Sequence, residues 1–165
     1  MELAQLQSRA ILVIFAACVS GLGRATQGND ILGFTHAILQ SGALNYLGSL
    51  WNVSDVGTML LMYVFHTQLA AVGSTTSIAE CWRYAQATIY SLDETGAIAL
   101  LIEIRAKVDE PSERKWLDMV IADFSDGGLE IEGVDFQHPY FWAPFMLVGH
   151  GAVTLSGSLP TSVMS

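Results

Sequence analysis

The chain has 165 residues, enough for one domain with a sizeable core. Hydrophobic residues make up 52% and charged residues 14%, which excludes a disordered chain and calls for a densely buried interior. A formal net charge of −9 argues against a nucleic-acid backbone or an anionic membrane surface as partner.

Met1 to Ser8 reads as a polar loop or the end of a preceding helix. Ile11 to Ala17 is a short, continuous apolar run, the pattern of a buried strand in a parallel sheet. A glycine-marked loop follows from Val19 to Gly28, with Cys18 at the strand's carboxyl end. Ligands in open α/β sheets collect just past such strand ends, and glycine there lets backbone N–H groups approach them. Asn29 or Asp30 caps a helix whose apolar face is Ile31, Phe34, Ile38 and Leu39, and Ser41-Gly42 ends it. Ala43 to Trp51 is a second strand, closed by the turn Asn52-Val53-Ser54-Asp55.

Val56 to Ala71 is apolar nearly all round, which predicts a helix buried on most sides and broken at Gly73. Ser77 and Glu80 form a capping box for a helix with Ile78, Cys81, Trp82, Ala85 and Ile89 on one face. Two further helices are predicted near 97–107 and 112–124, with Pro111 suited to the first turn of the second. Asp109, Glu110 and Glu113 sit around that helix start, where carboxylates favour the dipole. Leu129 to Glu132 alternates like a short edge strand or extended loop. Pro139 and Pro144 point to extended or turn geometry over 138–143. Phe145 to Val148 is a last buried strand, ended by Gly149-His150-Gly151. Strands alternating with helices give an α/β fold with a mostly parallel sheet.

The expected organisation is one domain over 1–154 and a flexible tail over 155–165. Residues 92–137 carry most of the acids and read as an acidic insertion outside the core sheet. Its two helices are expected to pack through Ile98, Leu101, Ile102, Trp116, Met119 and Val120.

Cys18 and Cys81 are the two cysteines. They give neither a disulfide framework nor a metal-ligand spacing, and both lie in apolar surroundings. That suits a reducing compartment, hence a cytoplasmic location, with no cofactor and no metal. No apolar run has the length of a membrane span, since His66, Thr67 and Gln68 interrupt the nearest one. The start of the chain is superficially similar to a short signal ending at a lipidated cysteine. Glu2 cancels the positive charge such a signal needs, and the run is short. Gly21-Leu22-Gly23 opens like a dinucleotide fingerprint, but Thr26 stands at the third glycine and no ribose-binding acid follows. Read from residues alone, Cys18 is either a nucleophile at a strand end or a small buried hydrophobe there. Cys81, on an apolar helix stripe, reads as a core residue, and Met59 and Met62 as core filling.

The segment from Leu12 to Gly23 resembles the strand and loop of the CHAT domain, a caspase-like peptidase domain often attached to tetratricopeptide repeats. That family's pattern is an apolar strand, Ser-Ala-Cys-x-Thr-Gly and a glycine-rich loop. Ser41-Gly42-Ala43 leading to Gly48-Ser49-Leu50-Trp51-Asn52-Val53-Ser54-Asp55 is similar to its second block. His138-Pro139-Tyr140-Phe141-Trp142-Ala143-Pro144-Phe145 is similar to its closing block. Ala16 and Ser20 replace the family's serine and threonine around the cysteine.

The resemblance implies a caspase-like three-layer sandwich, amino-terminal strands missing, with Cys18 as nucleophile and backbone oxyanion donor. It implies that Trp51 and Asp55 lie beside the substrate cleft; a helix cap is the competing role of Asp55. The family's catalytic histidine belongs to a loop upstream of the cysteine strand, and no histidine precedes Cys18. His36, His66, His138 and His150 read as core or surface residues. The chain is therefore expected to be the carboxyl-terminal portion of a cysteine endopeptidase domain, inactive alone. Its expected partners are a protein or peptide substrate and the upstream half of the domain or tetratricopeptide repeats in a longer chain. Without that half, the Ile11 to Ala17 strand becomes a sheet edge and the chain self-associates. The alternative is a non-catalytic interaction or regulatory module.

Overall fold

The computed structural model describes residues 7–16, 29–51, 53–73, 75–125 and 135–156. It is a mixed α/β structure in the order β1 (Val13–Phe15), α1 (Asn29–Gln40), β2 (Asn45–Ser49), α2 (Asp55–Val72), α3 (Ile78–Tyr90), α4 (Glu94–Lys107), α5 (Pro111–Ser125), α6 (Pro139–Trp142) and β3 (Phe145–Gly149).

The sheet runs β1-β2-β3. β1 and β2 are parallel, with Val13 opposite Tyr46 and Phe15 opposite Gly48. β3 returns antiparallel to β2, Phe145 opposite Ser49 and Gly149 opposite Asn45. The mostly parallel sheet expected from the alternation of strands and helices is thus corrected to a mixed one. The closing strand follows a short helix at the same end of the sheet, and it can only come back antiparallel. It is also half-buried over most of its length rather than buried.

All five residues of β2 are buried, because side chains of its two faces enter two different clusters. Tyr46 packs with Ile38 and Ala43 under α1, together with the half-buried Phe34 and Leu39. Leu47 points the other way, into a core built from α2, α3, α4 and α5. Tyr46 lies across Gly48, two residues on along the same face, so a Cβ at position 48 would collide with the tyrosine ring and hydroxyl. Burial pushes the Tyr46 hydroxyl pKa up, opposed by its hydrogen bond with Thr35. Phe15 and Phe34 complete the cluster edge to face, ring centroids 4.8 Å apart.

The helices follow local signals. Ser54, not Asp55, caps α2: its hydroxyl accepts the Gly57 N–H at 3.2 Å, and Asp55 occupies the first helical turn. Gly73 ends α2 with φ at 56°, the left-handed region glycine reaches without strain. The Ser77–Glu80 capping box is present, and Ile78, Cys81, Trp82, Ala85 and Ile89 are all buried. Asp93 caps α4 by accepting the Gly96 N–H at 2.7 Å. Pro111 opens α5. Residues 139–142 form a short helix instead of the extended or turn geometry read from the two prolines. His138, preceding Pro139, keeps the extended backbone that a proline imposes, and Pro139 takes the first helical position. α1 ends as expected at Ser41-Gly42, with Gly42 at φ 105°. Asn29 and Asp30 lie inside that helix rather than before it. Leu129 to Glu132 falls outside the described residues.

α4 and α5 pair with each other and share the main core. Ala97, Leu101, Ile104, Leu117, Val120 and Phe124 are buried, whereas Ile102, Trp116 and Met119 are exposed. Of the side chains expected in this seam, Leu101 and Val120 are there, and Ile98 is half-buried. Exposed hydrogen bonds link α4 to α2. Tyr63 donates its hydroxyl to Glu103 at 2.6 Å, and the Lys107 ammonium donates to both Tyr63 and Glu103. Those bonds hold the Glu103 carboxyl below its usual range, Tyr63 contributing most. On the α5 side Arg105 pairs with Asp118 through two hydrogen bonds of 2.7 and 3.1 Å.

Two measurements check this packing. Leu101→Ala is expected to cost about 2–5 kcal/mol in denaturant unfolding, while Ile102→Ala should stay within about 0.5 kcal/mol. Gly48→Ala is expected to cost about 1–3 kcal/mol by overpacking. In a Tyr46→Ala background most of that cost should vanish, and a purely additive pair would show that the tyrosine does not fill the space above Gly48.

Candidate functional site

The pairing of the strands decides where chemistry can collect. Because β1 and β2 are parallel and β3 antiparallel, two carboxyl ends and one amino end open at one end of the sheet. The N-terminus of α2 begins there, at Asp55, six residues past the end of β2 at Ser49, with Gly48 opposite Phe15 setting the level. α6 and the start of β3 close the same end: the Leu50 N–H donates to the Pro144 carbonyl at 2.7 Å. α6 approaches α2 so closely that a Cβ on Gly57 would stand 3.0 Å from the Phe141 ring.

The amino end of β1 is anchored at the other end. The Ser8 N–H donates to the Ser41 carbonyl and the Leu44 N–H to the Ala10 carbonyl. Asn45, fully buried on β2, donates its side-chain amide to the Ile11 carbonyl at 2.9 Å, and its Oδ1 has no partner among the described residues. Asn45 was not legible as a functional or structural residue in the sequence. A buried polar residue inside an otherwise apolar strand is the signal that could have marked it.

Trp51 is exposed just past β2, and Asp55 is exposed in the first turn of α2, so both stand at the open end. An acidic side chain there favours the helix dipole, and the capping role belongs to Ser54. Cys18 and the glycine loop that follows lie outside the described residues. Chain connectivity alone keeps Cys18 within about 7 Å of Ala16, the last described residue of the β1 segment.

The four histidines divide by position. His150 follows β3 at the far end of the sheet, its N–H bonded to the Leu44 carbonyl. His66 sits eleven residues into α2, about 16 Å along the helix axis from the open end. Its Nδ1 is 2.7 Å from the Met62 carbonyl, so Nδ1 carries the proton and Nε2 is left as an acceptor. His36 is exposed on α1. His138 alone caps α6 at the open end, and its Nδ1 accepts the Tyr140 N–H at 3.2 Å. In that arrangement the basic nitrogen is already engaged.

Cys81 is fully buried in α3, and its thiol pKa is raised by burial and, secondarily, by the neighbouring Glu80 charge. It has neither the access nor the thiolate character of a nucleophile. Among the described residues no helix is long and apolar enough to cross a membrane.

Among the described residues, the carboxyl ends of β1 and β2 and the N-terminus of α2 meet at one end of a mixed α/β structure, the place where ligands collect in open α/β sheets. The family model for the CHAT domain matches residues 1–150, and the chain belongs to that family. No curated protein and no solved structure matches it.

Cys81 is expected to resist alkylation in the native state and to react only when the protein unfolds. Labelling of both thiols followed by peptide mapping checks this, and native labelling of Cys81 faster than Cys18 would contradict the assignment.

Proposed function

We propose that this chain is the carboxyl-terminal portion of a caspase-like CHAT cysteine peptidase domain, with Cys18 as its nucleophile. The observation that carries the reading is the parallel pairing of β1 with β2. It opens the β1 segment, two residues before Cys18, at the sheet end where α2 starts and where Trp51 and Asp55 stand. A helix N-terminus near a thiol favours the thiolate. In this reading the Cys18 sulfur attacks a peptide carbonyl carbon, and the oxyanion is held by the backbone N–H of Cys18. The released amine takes its proton from a histidine, and water then hydrolyses the thioester. Trp51 and Asp55 border the cleft, Asp55 offering a carboxylate to a cationic substrate side chain.

The histidine comes from polypeptide outside residues 1–165. His66 and His150 are placed away from the open end, His36 is exposed on α1, and the basic nitrogen of His138 is occupied. Either the upstream half of the domain or a partner chain supplies it, within hydrogen-bond reach of Cys18. The same histidine placement favours a second reading, a non-catalytic interaction module that keeps the family's framework.

A peptidase assay on the chain with and without its upstream region separates the two. The chain alone is expected to cleave nothing. With the upstream region, cleavage should appear and be abolished by Cys18→Ala with no change in thermal stability beyond about 1 kcal/mol. Cleavage by the chain alone would overturn the external histidine. Persistent inactivity of the longer protein, with Cys18 reacting no faster than a free thiol, would leave the interaction module standing.

A further inference from the structure

We infer that the outward face of α5 is a docking surface for a basic amphipathic segment of a partner polypeptide. An apolar pair marks the place. Trp116 and Met119 lie three residues apart, hence on one face of the helix, and are 39% and 55% exposed. α5 already buries a separate apolar stripe, since Leu117, Val120 and Phe124 enter the main core. A helix that meets only solvent on its outer face carries polar side chains there. Tryptophan and methionine are instead enriched where one protein meets another.

Two carboxylates bracket the pair. Glu113 stands three residues before Trp116 and Asp123 four residues after Met119, so the four share one stripe about 15 Å long. Both acids are exposed, and neither has an ion pair among the described residues. Two of the nearby bases are engaged elsewhere: Arg114 donates to the Val108 carbonyl and to Asp109, and Arg105 holds Asp118. Lys115 lies to one side, a turn before Met119.

The partner's chemistry follows from charge. Residues 93–135 hold twelve of the sixteen acids and four of the seven Lys and Arg residues, and no Lys or Arg follows Lys115. A field of that sign draws a cationic chain. It repels nucleic acid, an anionic membrane and a second copy, which would bring the same acids to the contact. An indole and a thioether between two carboxylates match a segment whose apolar side chain sits between lysine or arginine side chains. α5 lines no part of the apolar groove beside β1, which is walled by the strand segment, α2 and Leu155. The docking face is therefore distinct from the sheet edge that belongs to the upstream half in the peptidase reading, and it uses neither Cys18 nor a histidine.

Fluorescence anisotropy tests it, with a labelled synthetic helix of leucine and lysine in amphipathic spacing as probe. Binding is measured on this chain and on the protein with its upstream region, over a range of salt concentrations. Both are expected to bind, more weakly as salt rises. Trp116→Ala should weaken binding more than about tenfold, and Met119→Ser should weaken it as well, both with native circular dichroism. Glu113→Gln and Asp123→Asn should each weaken it about two- to fivefold and flatten the salt dependence. Ile102→Ala, on the exposed side of α4, should leave it unchanged. Equal binding by the parent and Trp116→Ala would overturn the surface. So would polylysine binding as tightly as the amphipathic probe, which is charge alone, or a leucine–glutamate helix doing so, which is apolar contact alone. Loss of binding in the longer protein would show the face covered by the chain's own upstream region, and self-association abolished by Trp116→Ala would show a second copy there; either overturns the assignment.

Discussion

The structure hangs on the parallel pairing of β1 with β2. β1 is three residues long, and its pairing is extended toward the amino end by bonds from Ser8 and Ala10 to the 41–44 turn. The Asn45 amide, donating to the Ile11 carbonyl, adds a side-chain clamp inside the sheet. A one-residue slip would turn Ile14 from the main core to the α1 side and Val13 the other way. It would also shift Ala16, the last described residue of the β1 segment, relative to α2. The clamp therefore acts on stability and on site geometry through the same few bonds.

The helices on the α2 side make that pairing rigid. Leu47 of β2 is fully buried against a core where Leu60, Leu61 and Phe65 of α2 also have no exposure. Phe65 meets Trp82 of α3 edge to face at 5.1 Å, and Trp82 meets Phe145 of β3 at 6.2 Å. The aromatic chain runs from α2 through α3 back to the sheet, so the level of β3, and of α6 before it, is tied to the level of α2. Gly57 and Phe141 form the closest part of that tie, at the open end. On the opposite face, Gly48 beneath Tyr46 makes the α1 side equally intolerant of added volume.

Much of this was legible in the residues. The apolar runs at 11–17 and 43–51 locate β1 and β2, though pairing is shorter than the runs. The Ser77–Glu80 box and the stripe from Ile78 to Ile89 define α3 with its buried face. Strand direction was not legible, because period-two alternation is the same for a parallel and an antiparallel strand, and β3 turned out antiparallel. The cap of α2 was not legible, since Ser54 and Asp55 are both capping residue types and only the extended backbone at Ser54 separates them. The inward face of α4 was obscured because apolar residues surround that helix. Only packing against residues distant in sequence shows that Leu101 and not Ile102 turns inward. At the site, nothing in composition singles out Cys18 over a buried hydrophobe. Only the resemblance to the family's strand-and-loop motif draws that distinction, and Cys18 itself lies outside the described residues.

The most direct measurement of where Cys18 stands is its cross-linking to either end of the sheet, in a Cys81→Ser background that leaves Cys18 as the sole native thiol. One variant carries a second cysteine at the open end, Trp51→Cys. Another carries it at the exposed Thr67→Cys, about 18 Å along α2 from its start. If the β1–β2 pairing sets the site, a short bifunctional thiol reagent joins Cys18 to position 51 and not to position 67. Equal cross-linking to both, or preference for position 67, would contradict a Cys18 loop that opens beside the start of α2.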